Sequence, residues 1–285
     1  MRILLLGASG FVGGVLWSHL SRRHEVVGTC SSRRVAGLVR LDLRDHEALA
    51  SLAGGSFDLV IHAAGLVDLA SAEAAPELAW AVNVAPLEVL LEALRGSKAK
   101  LILLSSDNVF DGSRDAYTEQ DPPSPINVYG QTKLAAEEQA LRDPRHLVVR
   151  IPIVFGRSPW SDKFLARMAG ATTLAQVDIV CAPLYLPSLA PALEQLWDEA
   201  GVVHYGGAEV VTRFELMSRV QAALGLDTRI VGVRNDKAFS GPRRPKRLVL
   251  RSVRHHLQGP DLDTALRHMA ADRYVPGPVN GILEP

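Results

Sequence analysis

The chain has 285 residues, of which 47% are hydrophobic and 22% are charged, a composition typical of a globular protein with one substantial core or two unequal lobes. Thirty-one basic residues balance thirty-one acidic residues, so no net charge favours binding to nucleic acid or to an anionic membrane. The N-terminal apolar run stops at Gly7, and no other segment reaches the roughly 18 apolar residues of a membrane-spanning helix, so we expect a cytoplasmic protein.

The sequence predicts no metal site. Cys30 and Cys181 lie far apart, and neither has a second thiol or a histidine at the spacing of metal ligands. His255 and His256 are adjacent and cannot share a helix face. We therefore expect two reduced cysteines that pack in the interior.

The first half of the chain alternates short apolar runs with helical patterns. The predicted strands are RILLLG, HEVVGTC, LVRLDL, DLVIHAAG, KLILLSS and HLVVRIPIVFG. The segments between them have apolar residues about 3.6 residues apart, which is the repeat of an α-helix. They include GGVLWSHLSRR, DHEALASLAG and PELAWAVNVAPLEVLLEALRG. This alternation predicts crossover connections and a parallel sheet covered by helices on both faces, which is the doubly wound α/β (Rossmann) fold.

After about residue 156 the alternation fades and prolines interrupt the pattern. VVHYGG predicts one more strand, TRFELMSRVQAALG a helix with a threonine cap, and DLDTALRHMAA a last helix. We therefore predict one domain over residues 1–156, rejoined by part of 180–206, and a smaller substrate-binding lobe mainly over 157–285.

A glycine-rich turn, GASGFVGG, follows the first predicted strand and opens the first helix. Small residues at this junction permit a tight turn, a close approach of the backbone to a pyrophosphate, and close packing of the helix on the sheet. A plain strand-to-helix turn is the alternative, but the position in an alternating chain favours a dinucleotide-binding domain. The candidate cofactor contacts are Gly7, Ser9, Gly10, Phe11, Val12 and Gly13.

The end of the second strand distinguishes NAD from NADP. No carboxylate stands there to accept a ribose 2′-hydroxyl, whereas Ser31, Ser32, Arg33 and Arg34 offer hydroxyls and cations to a 2′-phosphate. The alternative is that both arginines only solvate a loop. The sequence therefore favours NADPH over NADH.

The segment LDLRD at 41–45 follows the third predicted strand. Asp42, with Leu43 beside it, is placed to meet the adenine of the cofactor. The competing interpretation makes Asp45 a helix cap and Asp42 a turn former. We expect the adenine contact.

Three side chains form a candidate reactive group. Tyr129 and Lys133 are four residues apart and share one helix face, and a nearby ammonium is expected to lower the pKa of a phenol towards neutrality. Ser106, together with Ser105, ends the fifth strand, where ligands of open α/β sheets bind, and its hydroxyl can orient a carbonyl. An ordinary helix face and a polar turn are the alternatives, which the glycine turn makes less favourable.

With GASGFVGG, SSDNVFDG and NVYGQTKLAAE in place, the chain resembles the extended short-chain dehydrogenase/reductases, and within them the dTDP-4-dehydrorhamnose reductase branch. The resemblance implies that Ser106 takes the place of a catalytic threonine and that Tyr129 and Lys133 are the catalytic pair. It also implies that Lys133 binds the nicotinamide ribose. The segment HAAG, with Ala63, Ala64 and Gly65, is similar to the part of the family that lies beside the cofactor.

The chain departs from the family where the substrate binds. Asn108 replaces a tyrosine after the catalytic hydroxyl, and Ile153 replaces a tryptophan that lines the sugar pocket. In the basic run RRPKR, Arg243 or Arg244 is a candidate clamp for a substrate diphosphate, and a solvated loop is the alternative.

Together these features predict an NADPH-dependent reductase, in which Tyr129 donates a proton to a keto group of a 4-keto sugar nucleotide or of a related intermediate of specialised metabolism. An epimerase of the same superfamily and a non-catalytic, NADP-binding regulatory subunit are the alternatives. The expected partner is a small-molecule substrate, and both a monomer and a homodimer are compatible with the sequence.

Overall fold

The computed structural model describes residues 1–161, 163–235 and 241–271. The strands are β1 (Arg2–Leu6), β2 (Glu25–Cys30), β3 (Val39–Arg40), β4 (Leu59–His62), β5 (Lys100–Ser106), β6 (Leu147–Ile151), β7 (Val154–Phe155), β8 (Thr172–Gln176), β9 (Val180–Cys181), β10 (Leu184–Tyr185), β11 (Gly201–His204), β12 (Val211–Thr212), β13 (Arg229–Val233) and β14 (Arg247–Leu248). The helices are α1 (Phe11–Leu20), α2 (His46–Ala53), α3 (Leu69–Ala74), α4 (Pro76–Asn83), α5 (Ala85–Ala93), α6 (Val128–Ala140), α7 (Leu189–Leu196), α8 (Arg213–Leu224) and α9 (Leu262–Ala271).

Seven strands form the main sheet in the order β11-β6-β5-β4-β1-β2-β3, and every neighbouring pair is parallel. Helices α1 and α7 pack on one face, where Leu16 and Leu193 are fully buried. Helices α2, α5 and α6 pack on the other face, where Leu49 and Leu90 are fully buried. The predicted doubly wound α/β fold is therefore confirmed.

The strand order places the candidate site. The chain reverses its direction of winding between β1 and β4, which are neighbours in the sheet. Ligands of open parallel sheets bind at the carboxyl ends of the strands beside such a reversal. The glycine turn follows β1, the HAAG segment ends β4 and Ser106 ends β5, so all three lie at one edge of the sheet.

The third predicted strand, LVRLDL, is reduced to Val39–Arg40. Two other predicted elements are interrupted by proline. The helix predicted over PELAWAVNVAPLEVLLEALRG is divided between α4 and α5, because Pro86 has no amide to continue the hydrogen bonding and its ring crowds the preceding turn. The strand predicted over HLVVRIPIVFG ends at Ile151, since Pro152 has no amide to donate to the sheet.

Among the described residues, three small sheets and the last two helices form a second group of elements. They comprise β12-β9-β14, β10-β7 and β13-β8, with α8 and α9 packed together over a core that includes Phe164, Leu216 and Leu266. Helix α8 begins with the predicted Thr212 cap, which forms a capping box with Glu215. Strand β11 joins the main sheet, and residues 272–285 of the predicted substrate lobe lie outside the described residues.

In the part of the chain that the structure describes, no helix has the length and apolar character needed to cross a membrane.

Candidate functional site

The glycine turn has room only for glycine at two of its three positions. Gly7 has a φ of +83°, and a Cβ on it would lie 2.7 Å from the Cα of Ala64. A Cβ on Gly13 would lie 2.0 Å from the carbonyl oxygen of Gly7. The Thr29 hydroxyl holds the turn by accepting a hydrogen bond from the Gly7 amide at 2.9 Å. The backbone therefore forms a tight, side-chain-free cradle in front of α1, which begins after Gly10.

The four residues predicted to contact a 2′-phosphate follow β2 directly. Ser31, Ser32, Arg33 and Arg34 are all exposed, and β2 lies next to β1 in the sheet. Neither arginine forms an ion pair with any other described residue. Both guanidinium groups therefore stand at the sheet edge beside the glycine turn, and their contact with a phosphate remains a prediction.

Asp42 and Asp45 both have the structural roles that the competing interpretation gave them. Asp45 caps α2 by accepting a hydrogen bond from the Ala48 amide at 3.0 Å. The Asp42 carboxylate pairs with the Arg44 guanidinium at 2.6 Å and also accepts the Arg44 amide. The hydrogen bonds from Arg44 lower the pKa of Asp42 to about 2. Leu43 is buried, and the adenine contact stays a prediction.

The HAAG segment is joined to the helix that carries Tyr129 and Lys133. Ala64 touches the glycine turn, as the position of a Cβ on Gly7 shows. Buried Asn83 accepts a hydrogen bond from the Leu66 amide at 2.7 Å, and its amide nitrogen donates to the Thr132 hydroxyl at 3.0 Å. Asn83 therefore connects the loop after β4 with α6, a link that its sequence position alone does not indicate.

Ser106 begins a short 3-10 turn over Asp107–Val109. Its hydroxyl donates to the Asp107 carboxylate at 3.1 Å and accepts from the Asn108 backbone amide at 3.2 Å. The Asn108 side-chain amide donates to Asp107 at 2.9 Å. Burial raises the pKa of Asp107 to about 6, and the charge of Arg213 opposes this rise. A hydroxyl, an amide and a carboxyl group thus meet at the end of β5.

Tyr129 and Lys133 lie in the first two turns of α6 and are both buried. The Lys133 Nζ donates a hydrogen bond to the carbonyl oxygen of Leu104 on β5 at 2.7 Å. The Ser106 hydroxyl lies close enough to the Tyr129 hydroxyl to act on the pKa of the phenol. The structure therefore brings Ser106, Tyr129 and Lys133 together, as the sequence predicted.

The electrostatic prediction for Tyr129 is wrong for this structure. Burial raises the pKa of Tyr129 to about 12, and the Asp107 charge adds to the rise. The Lys133 ammonium does not offset this effect because it is directed to a backbone carbonyl on β5. Burial also lowers the pKa of Lys133 to about 8, against the opposing charge of Glu137.

Glu137 and Arg150 form a buried ion pair next to this group, which sequence reasoning missed. The Glu137 carboxylate accepts two hydrogen bonds from the Arg150 Nε and one from its Nη2, the last at 2.6 Å, and one from the Ser105 hydroxyl. The four-residue spacing from Lys133 was a usable signal for Glu137, but Arg150 lies on another element and no spacing rule connects it.

A narrow cleft opens beside the Ser106 turn. Its lining consists of Leu69, Asp107, Asn108, Ile179, Val180, Cys181, Arg213, Arg244, Pro245 and Leu248. Arg213 and Arg244 are half-buried and, among the described residues, have no carboxylate at ion-pair distance. Burial lowers the pKa of Arg167, and the nearby charges of Arg213 and Arg244 lower it further. The two guanidinium groups therefore give this cleft a positively charged wall, and the charge of Arg213 also acts on the Asp107 carboxyl group in the same lining.

Of the residues predicted to contact substrate, Asn108 and Arg244 line this cleft together with Ser106's neighbour Asp107. Ile153 is half-buried, its carbonyl oxygen accepts a hydrogen bond from the Leu184 amide, and it is not part of the cleft lining among the described residues. Arg213 was missed because it lies at the start of a helix far along the chain.

His62 at the end of β4 is fully buried, and neither ring nitrogen has a hydrogen-bond partner among the described residues. Burial, with the nearby charge of Lys133, lowers the pKa of His62 to about 3. The imidazole is therefore neutral. Both cysteines are free and buried, and the described residues contain no group of side chains arranged to hold a metal ion.

Comparison with known proteins agrees with the geometry. A family model described as the RmlD substrate binding domain matches residues 1–272. The chain belongs to this family. The dTDP-4-dehydrorhamnose reductase of Mycolicibacterium smegmatis is 34% identical to this chain over 266 residues, which cover 89% of this chain and 79% of that protein.

One further relative and one solved structure also resemble the chain. The methionine adenosyltransferase 2 subunit beta of Rattus norvegicus is 27% identical over 262 residues, or 86% of this chain and 78% of that protein. The crystal structure of dTDP-4-dehydrorhamnose reductase from Bacillus anthracis, in complex with NADP, matches with a TM-score of 0.84 and 21% identity over 95% of this chain and 99% of that one. The family predicted from the sequence is therefore confirmed.

Proposed function

We propose that this protein is an NADPH-dependent reductase that acts on a keto group of a nucleotide-linked sugar. The observation that carries the proposal is the meeting of Ser106, Tyr129 and Lys133 at the carboxyl edge of the parallel sheet, beside the glycine turn. The names of the relatives in Mycolicibacterium smegmatis and Bacillus anthracis support the same class of reaction.

The cofactor is the first part of the proposal. The cradle at Gly7 and Gly13, which any Cβ would fill, fits a pyrophosphate held by backbone amides. Arg33 and Arg34 would then hold the 2′-phosphate, and Lys133 the ribose hydroxyls. When bound, NADPH supplies the hydride. Selective weakening of NADPH binding relative to NADH in Arg33→Ala or Arg34→Ala variants tests this assignment.

Tyr129 is the proposed proton donor. Its high pKa keeps the phenol protonated at neutral pH, which is the state that a donor to a developing alkoxide needs. Ser106 is hydrogen-bonded beside it and can hold the carbonyl oxygen in line with Tyr129. Lys133 lies one helical turn after Tyr129 and is fixed on Leu104.

The cleft supports a substrate with a diphosphate. Arg213 and Arg244 present guanidinium groups without a carboxylate partner among the described residues, and guanidinium groups bind phosphate oxygens well. The Asn108 side chain lies between this positive wall and Ser106. A nucleotide diphosphate on the arginines would therefore leave the sugar next to the reactive hydroxyls.

The decisive experiment follows NADPH absorbance with a panel of 4-keto sugar nucleotides and simple ketones. We expect turnover with a sugar nucleotide, and Tyr129→Phe should lower kcat by at least about a hundredfold while NADPH still binds. Tyr205→Phe is the matched control, since Tyr205 is a buried tyrosine whose hydroxyl contacts Ser188 away from the site. Equal activity in the Tyr129→Phe variant would disprove the proton-donor role.

One relative is a subunit of methionine adenosyltransferase. For this reason the second candidate function of the present protein is a regulatory, non-catalytic role. The presence of all three reactive side chains favours catalysis. Binding of NADPH without oxidation against every keto substrate in the panel would favour the regulatory role. Inversion of a sugar nucleotide without net NADPH oxidation would instead identify an epimerase.

A further inference from the structure

Three consecutive residues of β5 hold three residues of α6. The Leu104 carbonyl accepts a hydrogen bond from the Lys133 ammonium, the Ser105 hydroxyl donates to Glu137, and the Ser106 hydroxyl lies close enough to Tyr129 to act on its pKa. Glu137 is one turn after Lys133 on the same helix. Along β5, the Ser105 contact with Glu137 therefore lies between the two contacts that involve the proposed reactive residues, and it fixes α6 to the strand at that point.

The Glu137 contact also includes β6. Ser105 and Arg150 are directly paired neighbours on β5 and β6, and both donate to the Glu137 carboxylate. The carboxylate is 1% exposed and Arg150 is 4% exposed, so water does not screen the pair. Such a fully hydrogen-bonded charge keeps one geometry and holds α6 at one height on the sheet.

The charge of Glu137 acts on Lys133. Within the described residues, the titratable groups around Lys133 include Glu137 and Tyr129, each one turn away on its own helix, and His62 on β4. His62 is neutral because of its burial, so Glu137 supplies the negative charge that opposes the burial of the ammonium. Arg150 pairs with the carboxylate at 2.6 Å and satisfies its hydrogen bonding without removing its charge.

We propose that Glu137 is a positioning residue: bound by Arg150 and Ser105, it fixes α6 on β5 so that Lys133 lies against Leu104, with the carboxylate one helical turn from the ammonium. This proposal rests on the proposed function only for the role that Lys133 has in it. A purely structural Glu137 would support the fold but would leave the titration of Lys133 unchanged.

The test is a direct titration of Lys133 in the cofactor-free protein. The chain has six lysines, so NMR of protein labelled with 13C at the lysine side chains gives few resonances, and Lys133→Arg identifies the relevant one. We expect Glu137→Gln to lower the titration midpoint of Lys133 by about one pH unit. Glu138→Gln is the matched control, because it changes an exposed glutamate on the same helix and should leave the midpoint unchanged.

A second comparison guards against loss of the fold, since Glu137→Gln leaves Arg150 buried without a counter-charge. The Glu137→Gln change is therefore also made in an Arg150→Gln background, where the paired amides can still hydrogen-bond. The midpoint should again be lower with glutamine than with glutamate at position 137. Equal midpoints with and without the carboxylate in the folded variants would overturn the proposal.

Activity provides a separate readout. If the protein is the proposed reductase, the alkaline limb of its kcat profile should move in the same direction as the Lys133 midpoint in each variant. A shifted midpoint in a protein that reduces no substrate would leave Glu137 as the positioning residue of Lys133 and would reject only the proposed function. An active enzyme with an unshifted midpoint would reject only the positioning role.

Discussion

Two groups of charged residues lie on opposite sides of the Ser106 turn, and they are satisfied in different ways. Glu137 and Arg150 are almost completely buried and form an ion pair within the protein. Arg213 and Arg244 are half-buried in the cleft wall and face no carboxylate at ion-pair distance among the described residues. The first group is paired within the protein, whereas the second group presents positive charge that an anion could bind.

The difference separates a residue's contribution to stability from its contribution to binding. Removing one partner of a buried pair exposes the other to an apolar interior, which is strongly unfavourable. Removing one of several like charges relieves repulsion and leaves no group unpaired. The two sides of the turn should therefore respond oppositely to truncation.

The largest expected effect is on stability. Glu137→Ala should lower the free energy of unfolding by about 3–5 kcal/mol, because Arg150 and Ser105 lose their acceptor. Arg213→Ala should change it by less than about 1 kcal/mol. Urea denaturation of both variants measures the contrast, with the exposed Glu138→Ala as the control for α6. A similar loss in the Arg213 and Glu137 variants would show that both groups are structural.

A second effect concerns Asp107, which belongs to the cleft side but is fully buried. Because burial raises its pKa in the folded state to about 6, above its ordinary value of 3.8, the folded protein retains a proton that the unfolded chain releases. The contribution of the Asp107 proton to the free energy of unfolding is therefore complete below pH 4 and is lost as pH rises to about 6.

Asp107→Asn should remove this dependence. The variant should gain up to about 3 kcal/mol relative to the native protein between pH 4 and pH 7. The measurement is the free energy of unfolding at a series of pH values, with Asp45→Asn, a change to an exposed helix cap, as the control. A constant difference between the native protein and Asp107→Asn across this range would mean that Asp107 is ionised throughout.

The sequence predicted the parts of this molecule that depend on local order. The alternating runs gave the parallel sheet, and the glycine spacing gave the turn at Gly7, since each is set by neighbours in the chain. The contacts of Tyr129 with Ser106 followed from a resemblance of motifs. Partners on different elements, such as Arg150 with Glu137, depend on how strands and helices are brought together, which local spacing does not encode.

Two electrostatic properties were also beyond the sequence. The spacing of Tyr129 and Lys133 suggested a lowered phenol pKa, but burial, which only the folded structure reveals, raises it. Arg213 and Arg244 come from helix α8 and from the segment before β14, and only the packing of the second lobe places them in one cleft. Charge patterns in the sequence identified Arg244 but gave no reason to join it to Arg213.

The smallest expected effect tests the cleft itself. Deoxythymidine diphosphate, used as a probe without the sugar, should raise the Tm of the protein, because it binds the folded cleft and not the unfolded chain. Arg213→Gln and Arg244→Gln should each weaken its binding about tenfold, since each removes a charge-assisted contact. Arg243→Gln is the matched control, because it alters the neighbouring exposed arginine outside the cleft lining. Equal weakening by all three changes would indicate general attraction to a basic surface, and the binding would then fall steeply with salt in every variant. A loss confined to Arg213 and Arg244 would show that the uncompensated side of the Ser106 turn is the anion site.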